Sequence, residues 1–129
     1  MERFEREDSS LLHRQWQSYA ETHSDKANLA VHAVAVPVFM AGTCVMLASP
    51  WHGVWWTVVG VGMMVAAMAV QGRAHRHEGR APAPFRGAVD VVSRILTEQW
   101  ITFPRYVLSG AFGVAWRHTR IAPDARSNA

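Results

Sequence analysis

Four residues of this 129-residue chain combine a useful side-chain type with a useful spacing: His23, His32, His75 and Glu78. Glu78 follows His75 by three positions, so a helical stretch there puts both on one face. Neutral imidazole binds Fe, Zn and Cu, and two His with one carboxylate and open positions is a common way to hold non-haem Fe(II) for oxygen chemistry. Asn28, one helical turn before His32, is spaced to orient a ligand from behind. Arg73, Arg76 and Arg80 suit a carboxylate headgroup. Each residue also has a plainer reading. His23 can end an amphipathic stripe, His32 can be a hydrogen-bonding group in an apolar helix, and His75, His77 and Glu78 can be solvated. The arginines can simply orient the chain in a membrane. His13, His52 and His118 show no convergence with the others, and Met40, Met46, Met63, Met64 and Met68 read as ordinary packing.

Whether the set is a site depends on the elements that carry it. Residues 27–72, a run of 46, contain no Asp, Glu, Lys or Arg, although the chain has 13 basic and 10 acidic residues. That run is long enough for two membrane spans of about 20 residues each and a turn. Leu29–Ala48 is the expected first span, with Pro37 inside it, and Val54–Val70 the second. The turn at 49–53 and the neighbouring Trp51, Trp55 and Trp56 suit an interfacial aromatic belt. Residues 10–24 read as an amphipathic helix lying on the membrane surface, with Leu12, Trp16, Tyr19 and His23 on one face. In 88–100, Val89, Val92, Ile95 and Leu96 form an apolar stripe, with Asp90, Arg94 and Glu98 off it. Segment 101–116 either spans or follows a re-entrant path as short helices. The expected fold is therefore all-α: an antiparallel hairpin of two spans, an amphipathic N-terminal helix and further short helical segments. It forms one domain over 1–122, with a flexible tail at 123–129. In such a hairpin the start of the first span and the end of the second lie together, which brings His32 and His75 to one membrane boundary with His23 just outside it.

Charge and cysteine content narrow the function further. Twelve of the 13 basic residues are Arg, and the formal net charge is +3. These residues flank apolar segments instead of alternating with aromatics, which fits lipid headgroups and argues against nucleic acid. The basic residues of 73–94 put the N-terminus and the 71–87 loop in the cytoplasm, for a bacterial inner membrane or an equivalent such as the endoplasmic reticulum. Cys44, the only cysteine, allows no internal disulfide and reads as a small packing residue. The N-terminus lacks the layout of a signal peptide.

Tyr19, His23, Asn28, His32 and Pro37 stand as Y-x3-H-x4-N-x3-H-x4-P. Gln71, His75, Glu78, Pro82 and Ala83 stand as Q-x3-H-x2-E-x3-P-A. Together, each at the end of an apolar span, these motifs resemble the membrane family typified by the yeast 2-hydroxy fatty acid dioxygenase, over roughly residues 15–110. The resemblance implies an Fe(II)-dependent membrane oxygenase that shortens 2-hydroxy fatty acids by one carbon, with O2 as co-substrate. It carries the motif histidines to His23, His32 and His75, and the motif's polar positions to Asn28, Gln71 and Glu78. It gives His77 no role. Two positions usually Gly in the family are Ala35 and Ala74 here.

The resulting expectation is Fe(II) held by His23, His32 and His75, with Glu78 as ligand or base. Tyr19, Asn28, Gln71 and an Arg among 73, 76 and 80 would surround metal or substrate, and the acyl chain would lie between the spans. Zinc in place of iron, a haem b held by His32 and His75, and a non-enzymatic lipid-binding or assembly protein are the alternatives. Homo-oligomerisation is left open.

Overall fold

A computed structural model of the chain describes residues 11–118, and the tail expected at 123–129 lies outside them. All regular structure among the described residues is helical. Helix α1 (Leu11–Thr22) has neither Gly nor Pro and buries Tyr19 and Thr22. It stops before Asp25, whose extended backbone (φ −84°, ψ 133°) and side chain cap the next helix by accepting the Asn28 N–H at 3.0 Å. Helix α2 (Lys26–Leu47) contains Pro37. The Pro ring lies on the exposed side of the helix, where the carbonyl it frees is not trapped in the core. Pro50 opens a single turn, α3 (Ser49–His52). Gly53, at φ +99°, then reverses the chain into α4 (Val54–Ala74), a conformation that a side chain would strain.

Helices α2 and α4 pack antiparallel along their length. At the crossing two glycines touch: a Cβ added to Gly60 would lie 2.5 Å from both the Gly42 carbonyl oxygen and the Met46 nitrogen. The lane between the spans that was expected to hold an acyl chain is therefore closed at this level. Both helices are long and apolar enough to cross a membrane. The second runs further than expected, so that Gln71 and Arg73 belong to it. Its outer face carries exposed Val58, Val59, Val61 and Val65, the kind of apolar patch that marks a membrane or protein contact. Cys44 is also exposed, so it faces outward from α2 and is not the packing residue expected from its type.

The helical stretch ends in a 3-10 turn at His75–His77. A strap without regular structure follows, up to Gly87. Helix α5 (Ala88–Thr97) passes into a π turn (Glu98–Thr102) and then α6 (Phe103–Leu108). The cause of the π turn is Pro104. It has no N–H for the Trp100 carbonyl, and its ring crowds that carbonyl, so the preceding turn widens. The Phe103 N–H accordingly donates to Glu98 O, five residues back. Ser109 and Gly110 (φ +82°) break the chain again before α7 (Ala111–His118). Segment 101–116 is thus a pair of short helices. Of the expected α5 stripe only Ile95 packs against the α2–α4 core; Val89 and Val92 are exposed. Tyr19, Leu29, Val36, Phe103 and Tyr106 form the main core and join α1, α2 and α6.

Candidate metal centre

The antiparallel pair sets the start of α2 beside the end of α4, and the three histidines meet there. His23 follows the end of α1 and is 3% exposed; His32, in the second turn of α2, is fully buried. The His23 ring stacks on Tyr19 with centroids 3.8 Å apart. Its Nδ1 lies 3.0 Å from the Tyr19 carbonyl oxygen, and the His32 Nδ1 lies 2.9 Å from the Asn28 carbonyl oxygen. A carbonyl only accepts, so both Nδ1 atoms carry the proton and donate it. Both Nε2 atoms therefore face inward, 3.2 Å apart. His75, half-buried at the end of α4, closes the group with its ring centroid 4.8 Å from that of His23 and 5.0 Å from that of His32.

The carboxylate at these rings is Glu98, from the π turn. Its Oε1 is 3.4 Å from the Nε2 of His23 and 3.4 Å from that of His32, and Tyr19 Oη donates to it at 3.4 Å. One ligand-type atom from each of His23, His32, His75 and Glu98 falls within 4.8 Å of all the others. Burial, with the Glu98 charge adding to it, pushes the Tyr19 phenol well above its usual value.

These residues fit a metal ion. Two ligands at about 2.1 Å from one ion lie roughly 3.0 Å apart at a right angle and roughly 3.4 Å apart at the tetrahedral angle, matching the 3.2 and 3.4 Å found here. Two inward lone pairs and a carboxylate repel one another unless a cation lies among them. The back-side N–H···O=C bonds of His23 and His32 are the usual support of a ligating imidazole.

Glu78 is not in this cluster. After the 3-10 turn its backbone is extended (φ −78°, ψ 141°), so the helical spacing that would have aligned it with His75 is lost. Its carboxylate instead accepts from the N–H groups of Ser24 (3.0 Å) and Asp25 (2.9 Å), from Ser24 Oγ (2.9 Å) and from Asn28 Nδ2 (2.8 Å). Against the cost of burial, these bonds lower its pKa. Glu78 thus ties the end of α4 to the start of α2, with its charge at the helix N-terminus where the dipole favours it. Asn28 is fully buried; besides bonding Glu78, its Nδ2 lies 3.4 Å from His75 Nδ1.

Gln71 pairs with a residue that spacing alone did not single out. Gln71 Nε2 donates to Gln99 Oε1 at 3.0 Å, and Gln99 Nε2 returns the bond at 2.8 Å. Both are buried, and the pair clamps the π turn to α4. Gln15 adds a second clamp by accepting from Thr102 Oγ1 at 2.7 Å and donating to the Arg94 carbonyl at 3.0 Å. Of the three candidate arginines, Arg73 and Arg76 are exposed outside the cavity lining, while Arg80 lines the cavity and pairs with Glu21. Ala35 and Ala74 are buried without disturbing the helices. Glu98 was passed over because it falls off the α5 apolar stripe. The available signal was Pro104, which widens the turn that carries it.

Beside the cluster lies a cavity of about 640 Å³. Tyr19 and His23 of α1 and its exit, Met68, Gln71 and His75 of α4 and its exit, and Glu98 line it, with strap 80–85 across it.

No curated protein and no solved structure gives a significant match to the chain. The sequence model of one family, described as 2-hydroxy-palmitic acid dioxygenase Mpo1-like, matches residues 9–105. That match takes in both histidine motifs, Gln99 and the π turn, and it covers most of the sequence: the chain belongs to the Mpo1-like 2-hydroxy-palmitic acid dioxygenase family.

Proposed function

We propose that this protein is a membrane-embedded, Fe(II)-dependent dioxygenase that shortens 2-hydroxy fatty acids by one carbon. The observation that carries this reading is the convergence of His23, His32, His75 and Glu98 on one point beside a partly apolar cavity. These four residues would hold the metal, with Tyr19 and the Asn28 carbonyl fixing the orientation of the rings. When bound, iron supplies the redox chemistry by which O2 reacts next to the hydroxyl-bearing carbon. Arg80, on the cavity lining, would meet the substrate carboxylate, for which it would leave Glu21. Gln71 and Gln99 keep the Glu98 backbone in register with α4. The two long apolar helices would cross the bilayer, with the 71–87 loop on the cytoplasmic side.

The haem alternative fits the geometry poorly. His23, His32 and Glu98 crowd one point at 3.2 to 3.4 Å, which leaves no slot for a macrocycle between His32 and His75. The test is turnover of 2-hydroxyhexadecanoate by purified, iron-loaded protein, followed by O2 consumption and mass analysis of the product. A product one carbon shorter, absent in His32→Ala and His75→Ala, is expected. Full turnover in both variants would overturn the assignment, and activity untouched by chelators would favour a structural role for the histidines.

A further inference from the structure

Three helical stripes run away from the histidine cluster and form the walls of the cavity. Along α1 and its exit the stripe is His23, Tyr19 and Gln15; along the π turn and α5 it is Glu98 and Ile95; along α4 and its exit it is His75, Gly72 and Met68. Each begins at a residue of the candidate metal centre. The α4 stripe descends about 10 Å along the helix axis from His75 to Met68, toward the exposed Val65 and Val61.

Gly72 is the anomaly in this wall. It lies inside a helix, where Gly is less favourable than Ala. Its backbone does not require Gly, since positive φ occurs at Gly53, Gly87 and Gly110. Close packing does not require it either: a Cβ at Gly72 would meet nothing within 4 Å, whereas Cβ atoms at Gly42 and Gly60 would collide with backbone. Gly62 is equally open, but it borders no described cavity. What the missing side chain does at Gly72 is leave the α4 wall low, next to His75.

We propose that Gly72 is the chain-specificity position of this site. The alkyl chain of a fatty acid whose head lies at His23, His75 and Glu98 leaves the cavity over Gly72 and continues along Met68 onto the outward apolar face of α4. The inference rests on the 2-hydroxy acid reading for the identity of the head. It adds that the trough, shorter than an extended hexadecanoyl chain, grips the carbons that pass over Gly72 and along Met68, which a six-carbon acid lacks, and leaves the rest to lipid.

The experiment is equilibrium binding under anaerobic conditions, with metal-loaded protein in detergent. Labelled 2-hydroxyhexadecanoate is displaced by unlabelled 2-hydroxyhexadecanoate or by 2-hydroxyhexanoate. Gly72→Leu puts an alkyl side chain into the gap, where its Cβ meets nothing within 4 Å. It should lower the preference for the long acid over the short one by about tenfold or more, from the lost burial of several methylenes, with metal content unchanged. Gly72→Ala should shift the ratio in the same direction and less, and Gly62→Leu should leave it unchanged. An unaltered ratio in Gly72→Leu with metal retained overturns the proposal, as does an equal shift in Gly62→Leu. If Gly72→Leu does not fold, an unaltered ratio in Gly72→Ala overturns it. A ratio shift in protein that consumes no O2 with either acid keeps the Gly72 assignment and removes the oxygenase reading.

Discussion

The reciprocal amide pair of Gln71 and Gln99 makes a sharp prediction, because each side chain satisfies the other with hydrogen bonds of 3.0 and 2.8 Å and both are at most 1% exposed. Gln71→Leu removes one partner and strands a buried donor and a buried acceptor on Gln99. Each stranded group costs about 1–3 kcal/mol, so the single variant should lose about 2–6 kcal/mol, as should Gln99→Leu. The double variant Gln71→Leu/Gln99→Leu strands nothing and replaces two amides with apolar groups of similar size, so it should lie within about 1 kcal/mol of the parent. The coupling energy from the cycle should then exceed about 2 kcal/mol. Unfolding in mixed detergent micelles, followed by circular dichroism, measures all four proteins. Because the pair clamps the turn that carries Glu98, the single variants should also bind metal more weakly than the parent. Single variants that each lose less than about 1 kcal/mol, or a double variant as unstable as the sum of the two, would refute the reasoning.

Three other outcomes follow from the geometry. Glu98→Gln keeps the shape of the side chain but removes the charge at the histidines, so metal affinity should fall at least about tenfold in competition with a fluorescent chelator; unchanged affinity would remove Glu98 from the centre. Glu78 has a lowered folded-state pKa, so its contribution to stability is complete above its unfolded value near 4.5 and is lost as pH falls through the folded value. Acid unfolding should therefore be less steep in Glu78→Gln than in the parent, and identical pH profiles would contradict the staple role. Gly60→Ala drives a methyl to 2.5 Å from backbone atoms of α2 and should cost about 1–3 kcal/mol as the spans part, whereas Gly62→Ala, with open space around it, should cost nothing in the same unfolding assay.

Much of this architecture was legible in the residue order. A charge-free run broken at Ser49–Gly53 implies two antiparallel spans, and that alone brings His32 and His75 to one end. Composition and hydropathy carry such information because a bilayer-length helix must be apolar along its whole extent. The misplaced carboxylate shows where spacing stops being informative. Three residues from His75 to Glu78 align only in a continuing helix, and the chain leaves the helix at that point. Conversely, Glu98 fell off the apolar stripe of 88–100 because the stripe was read at the regular period. The π turn forced by Pro104 changes that period at Glu98 itself. Gln99 could not be paired with Gln71 from the order alone, since 28 residues and an irregular strap separate them.

The central claim is that His23, His32, His75 and Glu98 hold one metal ion, and metal stoichiometry tests it most directly. Protein reconstituted anaerobically with Fe(II), freed of loosely bound metal and assayed by mass spectrometry should carry about one iron per chain. Glu78→Gln should retain it, and His32→Ala and His75→Ala should carry almost none. Full iron in both histidine variants would contradict the account.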